Sequence, residues 1–310
     1  MKKAHVLTEG AILLALFTLF LLITLYVPII GGLLMFVLPL PFILFTIRHG
    51  VKLSLTLLIG GILLTILVGS LVALPLAIIC AICGIVMGYF YEKNQSSGAI
   101  IGGAIAFLIS IVLVYIAAVA FFSFDPFQEA IALFKNSSEQ SQSLLSSLGQ
   151  EANKEAINEF EEQLANMQYL IPSIIASIAA LFPFLFHVVS VPIMRRLNIK
   201  VNSIKPFREW MLPKSLIWYY LGVSLFMFIK LEPGSFGHLA VYNIFYILQL
   251  LLVIQGISFV FYYTYVKKLS KTLPIIVVIS SLFLPIILYL VRILGIIDLG
   301  FSMRERLTKK

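Results

Sequence analysis

The sequence predicts an all-α polytopic bundle of transmembrane helices. Three observations carry that prediction. The 310 residues are 61% hydrophobic and 12% charged, where soluble domains carry about 25% charged residues. Mean hydropathy is +1.05. The apolar residues also fall in long unbroken runs, which suit helices; a membrane β-barrel shows short strands of alternating polarity instead. The net charge of +8 does not point to nucleic acid, because the basic residues sit at the ends of apolar runs rather than on one soluble face.

Nine spans are expected, with eight as the alternative count, and each follows from its own run and turn. The first covers about residues 11–27, behind Lys2, Lys3 and His5; with no small-residue cleavage site after it, it is read as a retained helix rather than a signal peptide. An uncharged Pro28-Ile-Ile-Gly-Gly32 turn leads to the second, about 33–47, which Pro39 and Pro41 should shorten or kink. The basic turn Arg48–Lys52 precedes the third, about 53–68. The fourth, about 71–91, and the fifth, about 98–122, are separated by a polar turn.

Residues 123–168 interrupt the pattern. This insert holds eight acidic and two basic residues, a net of 2 − 8 = −6, and cannot lie in a bilayer. Asp125-Pro126-Phe-Gln128 reads as a helix start, and residues 151–168 place Ala156, Phe160, Leu164 and Met167 on one helical face. The sixth span covers about 169–194. A loop at 195–214 follows, with six basic residues and one acid, Glu209. The seventh, eighth and ninth spans are expected at about 215–229, 239–266 and 273–297. The organisation is thus five helices in 1–122, an extracytoplasmic acidic insert at 123–168, a sixth helix at 169–194, a cytoplasmic basic loop at 195–214, and three further segments with a basic tail in 215–310.

A cytoplasmic N-terminus places 14 basic residues on inner turns and three on outer ones. Nine spans would then carry the basic tail outside, against the rule, unless the last segment re-enters the membrane or the count is eight.

Several side chains are candidates for function. Ala11 and Ala15 give a small-xxx-small pair on the first span; Gly84 and Gly88, in a row with Cys80, do so on the fourth. Such pairs let helices approach closely, within the chain or against a partner. Cys80 and Cys83 form a CxxC in an apolar run with no neighbouring His or Asp, so neither a disulfide framework nor a metal or redox site is expected. Polar residues inside spans are His187, Asn243, Gln249, Gln255 and Arg292. Asn243, Gln249 and Gln255 are six apart; six residues turn a helix by about 600°, so the three point in different directions and read as separate inter-helix hydrogen bonds. Tyr242, Tyr246 and Gln249 share a face and, with His187, are the candidate substrate-binding residues. Arg292 reads as a snorkelling side chain. No span contains Asp or Glu, which argues against a proton- or sodium-coupled carrier built on an intramembrane carboxylate. Trp210, Trp218, Tyr219, Tyr220, Tyr262, Tyr263 and Tyr265 read as interfacial belts. No nucleotide loop, metalloprotease or hydrolase signature is present, so no enzyme and no cofactor are expected.

Two resemblances follow from these motifs. Residues 11–194 resemble the S components of energy-coupling-factor vitamin transporters, through six helices, a short second span after a Pro-Gly turn, a basic turn before the third, and Ala11-x-x-x-Ala15. That resemblance implies that the alanine pair docks onto a coupling subunit. MreD-type rod-shape proteins are similar more loosely. The whole chain resembles the YybS-like family of polytopic membrane proteins, through Leu7-Thr-Glu-Gly-Ala11, Pro206-Phe-Arg-Glu-Trp210-Met-Leu-Pro213, Gly295-Ile-Ile-Asp298 and Arg304. It implies a Gram-positive-type cytoplasmic membrane and carries no activity. The expected function is an S-component-like membrane protein that binds a small solute or docks in a membrane complex. A structural or assembly factor of the cell envelope is the alternative. Expected partners are the bilayer, other membrane proteins of an energy-coupling module or the envelope machinery, and a small molecule of unspecified identity, with no nucleic acid.

Overall fold

The computed structural model describes residues 2–69, 71–147, 166–202, 204–229 and 231–308. Every regular element among them is helical, so the predicted class is observed. The helices are α1 (Lys2–Tyr26), α2 (Ile30–Leu34), α3 (Leu40–His49), α4 (Val51–Gly69), α5 (Leu74–Glu92), α6 (Ser96–Phe122), α7 (Pro126–Ser147), α8 (Ile171–Arg196), α9 (Ser215–Phe226), α10 (Phe236–Val266), α11 (Thr272–Phe283), α12 (Pro285–Phe301) and α13 (Met303–Thr308).

Among the described residues, seven helical segments are long and apolar enough to cross a membrane, or eight if the bent pair α11 and α12 is one span. The count falls below the expected nine, and reaches the alternative of eight only with the bent pair as one span, for a physical reason. The apolar run from 215 is continuous to 229, but its helix stops at Phe226 after 12 residues. At ~1.5 Å per residue that is roughly 18 Å, against a hydrocarbon core of about 30 Å. The last run is broken before Pro285, which cannot donate a backbone hydrogen bond, and its two helices are bent by 118°.

The chain divides into two compact units, residues 1–152 with 174–204, and residues 153–173 with 205–310. In the first, α5 is packed by α3, α4 and α6. The small-residue row explains how. A Cβ built on Gly84 would stand 2.6 Å from the Pro39 carbonyl oxygen, and one on Gly88 would stand 2.9 Å from that of Ile43. α3 and α5 therefore touch backbone to side, and every residue of α3 from Leu40 to Thr46 is buried. As expected from its prolines, the second span is broken, into α2, a 3-10 turn at Met35–Val37 and the ten-residue α3. α8 joins this core through Phe182 and Phe186, whose rings pack on Phe36 and Phe107.

In the second unit α10 is the axis. It packs against α9, α11, α12 and α13, and against 3-10 turns at Gln168–Leu170 and Phe207–Glu209. In the insert, Asp125 caps α7 as its sequence predicts, accepting from the amides of Phe127 and Gln128. The helical face expected at 151–168 lies, up to residue 165, outside the described residues.

Candidate functional site

The strongest concentration of buried polar chemistry lies in the second unit, where α10, α12, α13 and the 205–214 loop meet. Its geometry begins with two glycines. A Cβ on Gly256 would stand 1.9 Å from the Val291 carbonyl oxygen, and one on Gly295 would stand 2.1 Å from that of Leu252. No larger residue fits either backbone, so α10 and α12 lie in direct contact.

That contact brings Gln255 beside Asp298. Gln255 Nε2 donates to Asp298 Oδ2 over 2.6 Å, while Gln255 Oε1 accepts from the Leu212 amide over 2.9 Å. α12 ends at Ser302 in a left-handed turn, φ 49°, which redirects the chain into α13. Arg304 then enters the cluster. Its Nε donates to Asp298 Oδ2 (2.9 Å), its Nη1 to the Arg208 carbonyl (2.9 Å) and its Nη2 to Ser258 Oγ (3.0 Å). The guanidinium stands 5.1 Å from the Tyr262 ring centroid. Ser258 Oγ lies 2.8 Å from the carbonyls of both Phe207 and Trp210. Asp298 is 0% and Arg304 8% exposed. A desolvated pair persists only with such additional hydrogen bonds.

This cluster corrects the expectation that no apolar span holds a carboxylate. The predicted ninth span stopped at 297; α12 continues through Phe301 and carries Asp298 in its buried face. α1 likewise begins earlier than predicted, at Lys2, and includes Glu9. Glu9 accepts from Arg48 and, over 2.8 Å, from His49 Nε2. This ties the start of the first helix to the α3–α4 turn.

The other sequence candidates divide between the units. His187 is buried in the first, sharing a 2.6 Å hydrogen bond with the Tyr91 hydroxyl. Tyr242, Tyr246 and Gln249 lie on α10 in the second. Tyr242 packs on His238 with ring centroids 4.2 Å apart, and Tyr246 is exposed. The structure therefore assembles no single pocket from the four within either unit. Asn243 pins the start of α10: its Nδ2 donates to the Tyr169 carbonyl and its Oδ1 accepts from the Ser173 amide. Gly84 and Gly88 are consumed by internal packing. Ala11 and Ala15 face outward instead. Ala11 lines an open apolar groove of about 670 Å³ with Val6, Leu7, Leu14, Phe45 and Leu57. Cys80 and Cys83 are buried thiols, and no metal-binding group of side chains occurs among the described residues.

Fold and site together define a multi-pass helical membrane protein whose C-terminal third closes on a buried Asp–Arg pair. The chain belongs to the family described as "Predicted membrane protein (DUF2232)", which matches residues 15–299. It is 36% identical over 307 residues to "Uncharacterized protein YybS" of Bacillus subtilis (strain 168), covering 99% of each chain. No solved structure matches.

Proposed function

We propose that the protein is a non-catalytic subunit of a complex in the bacterial cytoplasmic membrane, docked through the outer face of α1. The observation that carries this reading is the groove beside Ala11. Ala11 and Ala15 are exposed along one face of α1, and Leu7, Ile12, Leu16 and Leu19 beside them are exposed as well. Small residues on an otherwise bulky face let a second helix approach closely, so the proposed occupant is a membrane-spanning helix of an integral partner. The resemblance of 11–194 to S components supports the same use of this pair. The internal polar side chains point the same way. His187, Asn243 and Gln255 are spent on contacts within the chain rather than lining a solute cavity. The N-terminus and the basic loop face the cytoplasm in this reading, following the lysine and arginine count.

Crosslinking in intact membranes tests it. The double variant Ala11→Leu, Ala15→Leu should lose heteromeric crosslinks while keeping its melting temperature, because both positions face outward. Undiminished crosslinking in the folded double variant would overturn the docking face.

A further inference from the structure

We infer that α11 and α12 form a re-entrant hairpin, entering and leaving the membrane at the face that holds the 205–214 loop, and that Arg304 latches its returning end to that loop. All the contacts involved lie within the second unit.

α10 marks the two membrane faces. Near its start, Asn243 is bonded to Tyr169 and Ser173, at the beginning of the α8 span. Fifteen residues later Ser258 is bonded to the carbonyls of Phe207 and Trp210, in the loop that follows that span. Those positions are separated by roughly 22 Å along the helix. α10 continues only to Val266, on the loop side, and α11 starts at Thr272. The hairpin therefore departs from the loop side.

It also comes back there. Beyond the end of α12, Ser302 Oγ accepts from Lys214 Nζ over 2.7 Å, and Arg304 reaches the Arg208 carbonyl. A chain that crossed the bilayer between 272 and 301 would put these atoms a membrane thickness apart. The 118° bend before Pro285 turns the chain back.

The latch follows from the same geometry. The left-handed turn at Ser302 aims Arg304 back at Asp298 on the hairpin's returning limb, at Ser258 on α10 and at the loop backbone. One guanidinium thus ties three separate segments. Chain parity now agrees with charge. Six crossings precede the loop; α9 and the turns at 227–229 together carry the chain from the loop to the start of α10 beside Tyr169, and α10 brings it back. The tail's Arg304, Arg306, Lys309 and Lys310 then join the 14 inner basic residues, giving 14 + 4 = 18 on that side.

The test uses single cysteines in a full-length Cys80→Ala, Cys83→Ala background. Lys205→Cys, Glu305→Cys and Ser141→Cys are exposed sites in the loop, the tail and α7. A membrane-impermeant maleimide should label Lys205→Cys and Glu305→Cys from the same side, and Ser141→Cys from the other. Labelling of Glu305→Cys together with Ser141→Cys would overturn the re-entrant hairpin. The latch has its own readout in vesicles with the loop face outward. Arg304→Gln should raise tryptic cleavage at Arg306 by about 10-fold or more, as an opened tail predicts, with Arg304→Lys intermediate. An unchanged cleavage rate in Arg304→Gln would remove the latch. The labelling result stands on the intact cluster and does not depend on how that variant folds.

Discussion

Asp298 uses its two oxygens unequally. Oδ2 accepts from both Gln255 and Arg304, whereas Oδ1 is buried with no hydrogen-bond partner among the described residues. An asparagine can keep its oxygen at the engaged position and place its amide at the bare one. Asp298→Asn thus preserves shape and removes only the charge, leaving Arg304 buried without its counter-ion. The expected cost is about 3–5 kcal/mol, seen as a lower unfolding midpoint in detergent. A midpoint within error of the parent would mean that the pair is hydrated in solution. His187 offers a smaller case. His187→Leu strands the Tyr91 hydroxyl in the core of the first unit and should cost about 1–3 kcal/mol in the same assay.

At the scale of elements, the α10–α12 seam depends on two absent side chains. Gly256→Ala and Gly295→Ala each drive a methyl into a backbone carbonyl, which cannot move as a flexible side chain can. Each should cost at least the ~1–3 kcal/mol typical of overpacking. Gly222→Ala on α9 meets nothing within 4 Å and serves as the control that should leave the midpoint unchanged. These elements also show what could be read in advance. The apolar runs, the turn positions, the break near Pro39 and the cap at Asp125 are local properties, and hydropathy and capping rules reach them. Gln255 could be singled out as an inter-helix donor because an amide in an apolar run must find a partner. The end of α9 at Phe226 was not legible, since the residues after it are equally apolar and nothing in the run signals a stop. Asp298 and Glu9 fall just beyond their predicted spans because a charge at the edge of an apolar run looks like a boundary. The partner that lets a helix carry such a charge inward is distant in sequence.

At the scale of the whole molecule, the motifs 206–213, 295–298 and Arg304 were recognisable as fragments. Their meeting point was not, because Arg208 and Arg304 are 96 residues apart and the chain between them runs through four helices. The proximity depends on the hairpin returning, and hydropathy does not distinguish a segment that crosses from one that turns back. The acidic insert behaves differently. No member of either hydrophobic core cluster comes from its described part, residues 123–147. Deleting 136–152 should therefore leave the thermal midpoint in detergent unchanged; a clear fall would show that the insert supports the bundle. Crosslinking yield in the deletion variant would report separately whether the insert shapes access to a partner.

The latch also sets an order of events during synthesis. Chains are made from the N-terminus and their segments settle in that order. Gln255 and Asp298 enter the membrane before the residue that neutralises the carboxylate has been added. Until Arg304 arrives, the hairpin holds an unmatched negative charge where such a charge is expensive. A product that stops short of Arg304 has nothing to cancel it. The second unit thus relies on a residue made after the groups it pairs with: the charge on Asp298 is matched only once the chain has grown past Arg304.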